Sequence, residues 1–303
     1  MRVVFCSDPF DTSKPDPAYE LEASFTESLG IGYDLISYEA LVYERDARKA
    51  VRRMAQRGGA VLGIYRGWML RPEHYTPLYE ALFSQGVRLI NTPSQYRHCH
   101  WLPESYSVIS QYTPKSVWLK VQPNQKPEIG QIMELLRPFG PGPIIVKDYV
   151  KSRKHEWEEA CYIPSAADQE AVERVTDRFL ELQEDDLNEG LVFRKFVEFE
   201  QIGTHPESGM PLTKEFRIFF LNNEPVYWTR YWEWGDYGSQ EPPISAFREV
   251  GKGVQSRFFT MDIAKRIDGE WIIVELGDGQ VAGLPDHADV TDFYKTLRKH
   301  WSS

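Results

Sequence analysis

FFTMDIAKRIDGEWIIVELGDGQ, residues 258–280, decides the reading of the chain. Two alternating runs flank Asp268-Gly269, a dipeptide that favours a two-residue hairpin turn because glycine takes the positive φ such turns need. A two-residue turn sets Asp262 directly opposite Glu275. One face of the hairpin then carries Phe259, Met261 and Ile263 against Ile272, Val274 and Leu276, and the other face carries the two acids. Opposed carboxylates, with Cβ atoms about 4.5–5.5 Å apart, repel unless positive charge lies between them. A divalent cation supplies it, and oxygen-only neighbours suit Mg²⁺, which takes one or two protein carboxylates and completes its shell with water and phosphate oxygens. The alternative is a solvated acidic edge, or an ion pair to Lys265 or Arg266.

Working outward, KEFRIFF (214–220) and PVYWTRYW (225–232) flank Asn222-Asn223 and predict a second hairpin. An even-numbered turn puts Glu215 and Arg217 on the same face as Arg230, and two guanidinium forks on one side of a sheet make a clamp for phosphate oxygens. A Glu215–Arg230 cross-strand pair is the competing account. In GPIIVKDYVKSRKHEW (142–157) an apolar strand ends at Lys147 and enters a basic turn with Lys151, Arg153 and Lys154, a placement suited to phosphate and also common for surface lysines. GLVFRKFVEFE (190–200) is an apolar run ending in acids, either an adenine slot with Glu198 and Glu200 on the ribose or an ordinary strand. The aromatic run Tyr227, Trp228, Tyr231, Trp232, Trp234 and Tyr237 walls a pocket or fills core and rim.

The first hundred residues alternate short apolar runs with amphipathic stretches, the pattern of a parallel α/β layer. Strands are predicted over Val3–Cys6, Tyr33–Ser37, Ala60–Tyr65 and Arg88–Asn91, with helices over Ala18–Leu29, Ala47–Arg57 and His74–Gln85. Ligands gather at the carboxyl ends of such strands, which makes Arg66, in Tyr65-Arg66-Gly67-Trp68, a substrate-contacting candidate or else a surface residue in a turn. A proline-rich passage (Pro103, Pro114, Pro123, Pro127) predicts a domain junction near residue 115. Beyond it come a helix over Glu128–Leu136, a strand over Ile144–Val150 and a helix over Ala166–Leu182 capped by Ser165.

The net charge of −10 disfavours nucleic acid as a partner, since a surplus of Lys and Arg is needed to displace counterions from phosphates. No apolar stretch has the roughly 18 residues of a membrane span, and MRVVFCSDPF is too short a run for a secretory signal, so a cytoplasmic protein is expected. Cys6, Cys99 and Cys161 are odd in number and scattered, which favours reduced thiols. His98-Cys99-His100 has zinc-compatible spacing on a strand but no evident third ligand.

Lys147, the run Val192–Glu200 and the D…ELGDGQ hairpin occur in the order in which ATP-grasp proteins place their nucleotide and magnesium groups. KDYVKS, KEFRIFF, TRYW and VELGDGQVAGLP resemble more narrowly the ATP-grasp clade named for two arginines and a lysine, predicted peptide or amino-acid ligases. The resemblance implies an N-terminal α/β pre-ATP-grasp domain (1–115), to which YRGWML is similar. A two-lobed ATP-grasp domain with antiparallel sheets (116–303) follows, with nucleotide and metal between the lobes. It further implies that Lys147 and Lys151 meet ATP phosphates, that backbone around Arg194, Lys195 and Val197 meets adenine, and that Glu200 or Glu215 holds ribose. Arg217 and Arg230 would stabilise the transferred phosphoryl group, and Asp262 and Glu275 would carry Mg²⁺. Many relatives have Asn two residues after the metal-binding Glu; here Gly277 stands there, and Asp278 is the candidate replacement. The implied chemistry is ATP-dependent carboxylate–amine ligation through an acyl phosphate, on small-molecule or peptide substrates. A kinase-like phosphotransferase and a non-catalytic nucleotide sensor are the rivals.

Overall fold

The short apolar runs of the N-terminal third become four strands in the computed structural model, which describes residues 1–207 and 209–301: β1 (Arg2–Cys6), β2 (Tyr33–Ile36), β3 (Val61–Arg66) and β4 (Val87–Leu89). They pair in parallel in the order β2-β1-β3-β4. A parallel sheet is covered on both faces, so the middles of its inner strands are apolar. Val3 and Phe5 accordingly enter one core cluster while Val4 and Cys6 enter another. Helices Glu20–Ser28 and Pro72–Ser84 match expectation, but the helix expected over Ala47–Arg57 is the single turn Ala47–Ala50. The proline-rich passage is not simply a loop. Pro93 opens helix Pro93–His100 and Pro103 lies in the first turn of Leu102–Ile109, where the missing N–H has no partner to lose. His98 and His100 therefore sit on a helix, not a strand, and their spacing does not put them on one face.

The middle of the chain forms β5 (Ser116–Lys120), β6 (Ile144–Asp148), β7 (Tyr162–Ile163) and β8 (Gly190–Lys195), an antiparallel sheet in the order β5-β8-β6-β7. Helices Ile129–Leu136 and Gln169–Gln183 cover it, packing Ile132, Val172, Val175 and Phe179 against Val146, Leu191 and Phe193. The longer helix is capped by Asp168, whose carboxylate accepts from Ala171 N–H at 3.1 Å; Ser165 lies one turn too early.

The remaining strands are β9 (Gln201–Thr204), β10 (Pro211–Thr213), β11 (Glu215–Leu221), β12 (Glu224–Arg230), β13 (Phe258–Lys265) and β14 (Trp271–Asp278). β9 and β10 pair with each other, and the others form a sheet in the order β12-β11-β13-β14. The first hairpin has the predicted turn, with Asn222 and Asn223 at φ 51° and 65°. Its pairing then slips, since Phe219 faces Tyr227 but Phe220 faces Pro225, leaving Val226 as the extra residue of a bulge. Beyond the bulge Arg230 faces Phe216 and Arg217 faces Thr229, so Arg230 lies on the opposite face from Arg217 and Glu215. Neither the expected two-arginine clamp nor the Glu215–Arg230 pair forms.

The second hairpin differs in the opposite sense. Arg266 N–H donates to Glu270 O at 2.8 Å, so the loop is the three residues Ile267–Gly269, with Gly269 at φ 90°. Farther along, a Cβ on Gly277 would come within 2.7 Å of Thr260 Oγ1, and one on Gly279 within 2.9 Å of the Phe258 ring. Those contacts restore the offset of the two-residue reading at Thr260–Gly277 and Phe258–Gly279, and the one-residue shift lies between these rungs and Arg266–Glu270.

Packing divides the chain into two compact units: Met1–Cys99 with Gln201–Ile263 and Glu275–Ser303, and His100–Glu200 with Ala264–Val274. This does not coincide with the expected division at 115/116, which is a proposal about modular origin. The reason lies in one core cluster of the first unit. Val3, Phe5, Ile64 and Ile90 pack with Phe219, Tyr227 and Phe258, together with Phe293, Tyr294 and Leu297 of helix Val290–His300. Among the described residues no helix is long and apolar enough to cross a membrane.

Candidate active site

Asp262 is 2% exposed on central strand β13, where a lone carboxylate would be costly. Arg217 on β11 meets it as a fork, Nε to Oδ1 at 2.8 Å and Nη2 to Oδ2 at 2.7 Å, and Nη1 donates to Gly283 O at 2.9 Å. The guanidinium also lies 5.0 Å over the Tyr231 ring. Burial opposes its charge, but Asp262 outweighs burial and Tyr231 and Glu275 act in the same direction, so its pKa is raised. Arg217, Asp262, Tyr231 and Glu275 thus form one electrostatic cluster. Its anionic donors are carboxylate oxygens, each with lone pairs beyond those Arg217 engages. No group of three His, Cys, Asp or Glu able to hold a metal occurs among the described residues. Two carboxylates with oxygen donors only fit Mg²⁺, which keeps waters and substrate phosphates as its other ligands.

Asp278 does not fit that role. It is 1% exposed, and its oxygens accept from Asn91 Nδ2 at 2.6 Å, Gln280 N–H at 3.0 Å and Gln280 Nε2 at 3.2 Å. Burial pushes its carboxyl up to about 7 against these hydrogen bonds. Asn91 is a joint, donating also to Phe258 O and accepting from the N–H groups of Arg257 and Phe258. Gln280 bonds Tyr65 N–H and the Tyr75 hydroxyl. Arg66 is likewise structural. It is 1% exposed, forks onto Glu22 at 2.9 and 3.0 Å, and donates to the carbonyls of Gly279, Gln280 and Ala282. Its expected contact with substrate is replaced by a tether on the segment that follows β14. The Glu275 half of ELGDGQ serves the cluster, and the Asp278–Gln280 half anchors it.

Beside Arg217 lies a cavity of about 300 Å³, lined by Tyr231, Trp232 and Trp234, by Gly283–His287 and by His205 from the β9–β10 hairpin. Three of the six aromatics expected to wall a pocket do so. Tyr227 is core, Tyr237 is buried against Phe216 with Arg230 5.0 Å over its ring, and Trp228 is exposed. Glu233, Asp286, His205 and His287 were not singled out from sequence, because packing alone joins the three segments that carry them. Glu215 is 6% exposed and accepts from Thr213 Oγ1 at 3.3 Å.

In the second unit Lys147 is 6% exposed and its Nζ donates to Val150 O at 2.9 Å; Lys151 is exposed on the following turn, where its N–H and that of Val150 are held by Asp148 Oδ1. His100, weighed from the sequence only as a zinc ligand, is nearby: burial pushes it down to about 4, with Lys151 and Lys147 adding to the effect. Arg194 does not present a free edge. Its guanidinium donates to Val274 O, Thr113 Oγ1 and Ile273 O. Lys195 and Phe196 N–H groups are committed to the carbonyls of Lys115 and Pro143, which moves the expected adenine-contacting backbone to Val197 and beyond. Glu200 pairs with Lys265 at 2.7 Å.

Residues 136–297, more than half of the chain, match the ATP-grasp domain of R2K clade family 3. Among solved structures, the fold is similar to the ATP-grasp ligase PsnB complexed with minimal precursor (13% identity, TM-score 0.58, 98% of each chain). It is also similar to D-cycloserine synthetase DcsG (12% identity, TM-score 0.57, 99% of each chain). A third likeness is to a RimK domain protein ATP-grasp from Sphaerobacter thermophilus (12% identity, TM-score 0.56, 93% of this chain and 92% of that chain). At such identities the likeness concerns the fold. No curated protein matches the chain significantly.

Proposed function

The chain belongs to the R2K clade of ATP-grasp proteins, and from that premise we propose that it is an ATP-dependent carboxylate–amine ligase. The observation that carries the reading is Arg217 forked onto Asp262 with Glu275 in the same cluster. That arrangement keeps a buried carboxylate, a half-buried one and a cation together, as phosphoryl transfer onto another anion requires.

Asp262 and Glu275 would hold Mg²⁺, which when bound neutralises triphosphate charge. Lys147 and Lys151 meet ATP phosphates, backbone from Val197 onward meets adenine, and Glu200 accepts from ribose. Arg217 orients the substrate carboxylate and offsets its charge. A carboxylate oxygen then forms a bond to Pγ as the bond from Pγ to the bridging oxygen breaks and ADP leaves. An amine nitrogen next bonds the acyl carbon, the acyl–oxygen bond breaks, inorganic phosphate departs and the nitrogen loses a proton. No side-chain nucleophile is needed.

Calorimetry with a non-hydrolysable ATP analogue, with Mg²⁺ and again with EDTA, tests the nucleotide site; binding only with Mg²⁺ is expected, and none in either condition overturns the reading. Hydroxylamine trapping during turnover should give an acyl hydroxamate. A stable phosphorylated product would mark a kinase instead.

A further inference from the structure

Asp148, at the end of β6, is fully buried beside the basic turn, and five N–H groups converge on its carboxylate. Oδ1 accepts from Val150 N–H at 2.6 Å and from Lys151 N–H at 2.5 Å. Oδ2 accepts from Gln183 Nε2 and Asn188 Nδ2, each at 2.8 Å, and from Asn188 N–H at 3.3 Å. The first pair is what an aspartate does in any tight turn, where it holds the N–H two residues on. The second set is not local. Its donors stand 35 and 40 positions away, at the C-terminal end of helix Gln169–Gln183 and in the segment before β8. A carboxylate is acceptor-only, with about four lone-pair sites, and satisfies donors on both edges, whereas an amide would set N–H against N–H on one of them. With its lone pairs met from within the protein and no exposed surface, Asp148 offers nothing to a metal or a ligand.

The turn so held carries the cations assigned to phosphate. Lys147 Nζ donates to the carbonyl of Val150, whose N–H Asp148 holds, and the Lys151 carbonyl accepts from Asp148 N–H at 2.9 Å. Burial, then Lys151 and Lys147, depress the pKa of His100, which puts both ammonium groups near one imidazole. Arg153 is committed to the helix end instead: its Nε donates to Gln183 Oε1 at 2.7 Å and its Nη2 to Leu182 O. Gln183 thus gives its N–H to Asp148 and its carbonyl to Arg153, which fixes the orientation of the amide. We infer that Asp148 is a positioning residue of the nucleotide site, locking the Lys147–Lys151 turn to the helix end so that both ammonium groups are presented together to the phosphates of ATP. The inference rests on the ligase reading for the assignment of those lysines to phosphate. Ordering the turn beforehand removes an entropy cost that nucleotide binding would otherwise meet.

The test titrates the full chain, with Mg²⁺ present, against AMP, ADP and the non-hydrolysable ATP analogue, in the wild type and in Asp148→Asn. The variant should lose affinity for the ATP analogue by about tenfold or more and for AMP by about twofold or less, because the phosphate-contacting cations are displaced while the rest of the nucleotide site stays. Amide hydrogen exchange at Val150 and Lys151 should quicken. Adding Gln183→Glu returns a carboxylate to the cluster, able to accept from the new amide and from Arg153, and should restore most of the affinity for the ATP analogue. Should Asp148→Asn fail to fold, Asn188→Ala, which withdraws one side-chain donor and leaves the carboxylate in place, should show the same graded loss at a smaller size. An equal loss across the three nucleotides, or an unchanged affinity for the ATP analogue, overturns the inference and leaves the ligase reading standing. A wild type that binds none of the three overturns the ligase reading and, with it, the assignment on which the inference rests.

Discussion

Arg66 and Arg217 lie in the same unit, and each forks onto one carboxylate at hydrogen-bond distance. Neither burial nor pairing tells them apart decisively, since their side chains are 1% and 14% exposed. The other half of each guanidinium does. Around Arg66 it meets the carbonyls of Gly279, Gln280 and Ala282, closing the site from every side. Around Arg217 one carbonyl is met and the rest adjoins a cavity. A fully enclosed arginine is a tie between segments; one with donors left over can act on something that arrives.

The largest effect that follows is on folding. Arg66→Ala leaves Glu22 buried with only the Tyr294 hydroxyl beside it and should cost about 3–5 kcal/mol in urea unfolding, with much of the loss recovered by Arg66→Met combined with Glu22→Leu. A loss below about 1 kcal/mol would break the comparison. Arg217→Ala should instead slow Mg²⁺-ATP-dependent ADP release by about 10²–10³-fold. Its smaller loss of stability should be partly restored by Mg²⁺, because Asp262 regains a counter-charge, whereas Mg²⁺ should do nothing for Arg66→Ala. Unfolding curves with and without the metal read this directly.

Asp278 sharpens the contrast, being a buried carboxyl held by amides rather than by a cation. Its folded pKa, about 7, exceeds the ordinary 3.8, so between those values the folded form keeps a proton that the unfolded form has lost. Its contribution to stability is full below about pH 4 and is lost as pH rises through 7, by a few kcal/mol at most. Chemical unfolding at pH 5 and pH 8 should show that fall, and Asp278→Asn should flatten it. The smallest expected effect is at Gly277, where alanine would crowd Thr260 Oγ1 and cost about 1–2 kcal/mol, relieved in the double variant with Thr260→Ala as read by thermal melting.

The two hairpins show how far the site was legible in sequence. At Asn222-Asn223 the turn is the predicted one, yet the Val226 bulge reverses the face of every residue beyond it and removes Arg230 from the cluster. At Asp268-Gly269 the loop is one residue longer than predicted, yet the predicted offset is regained by Thr260 and Gly277. Turn chemistry is local and readable; bulges answer to packing and carry no comparable signature. The same limit explains Arg66, whose strand-end position suggested a binding edge until residues 279–282, more than two hundred positions away, closed over it. The parallel layer and the acids of β13 and β14 were readable because alternation and like-charge spacing need no distant partner.

The core that joins Phe5 to Phe258 and Leu297 also bears on how the chain is made. Its members run from Val3 to Leu297 in helix Val290–His300, so the first unit cannot complete its core until that helix has emerged from the ribosome. The second unit, drawn mainly from His100–Glu200, can collapse earlier on its own cluster. During translation β1 and β3 therefore wait with apolar flanks uncovered, a window in which a holding chaperone would have most to grip.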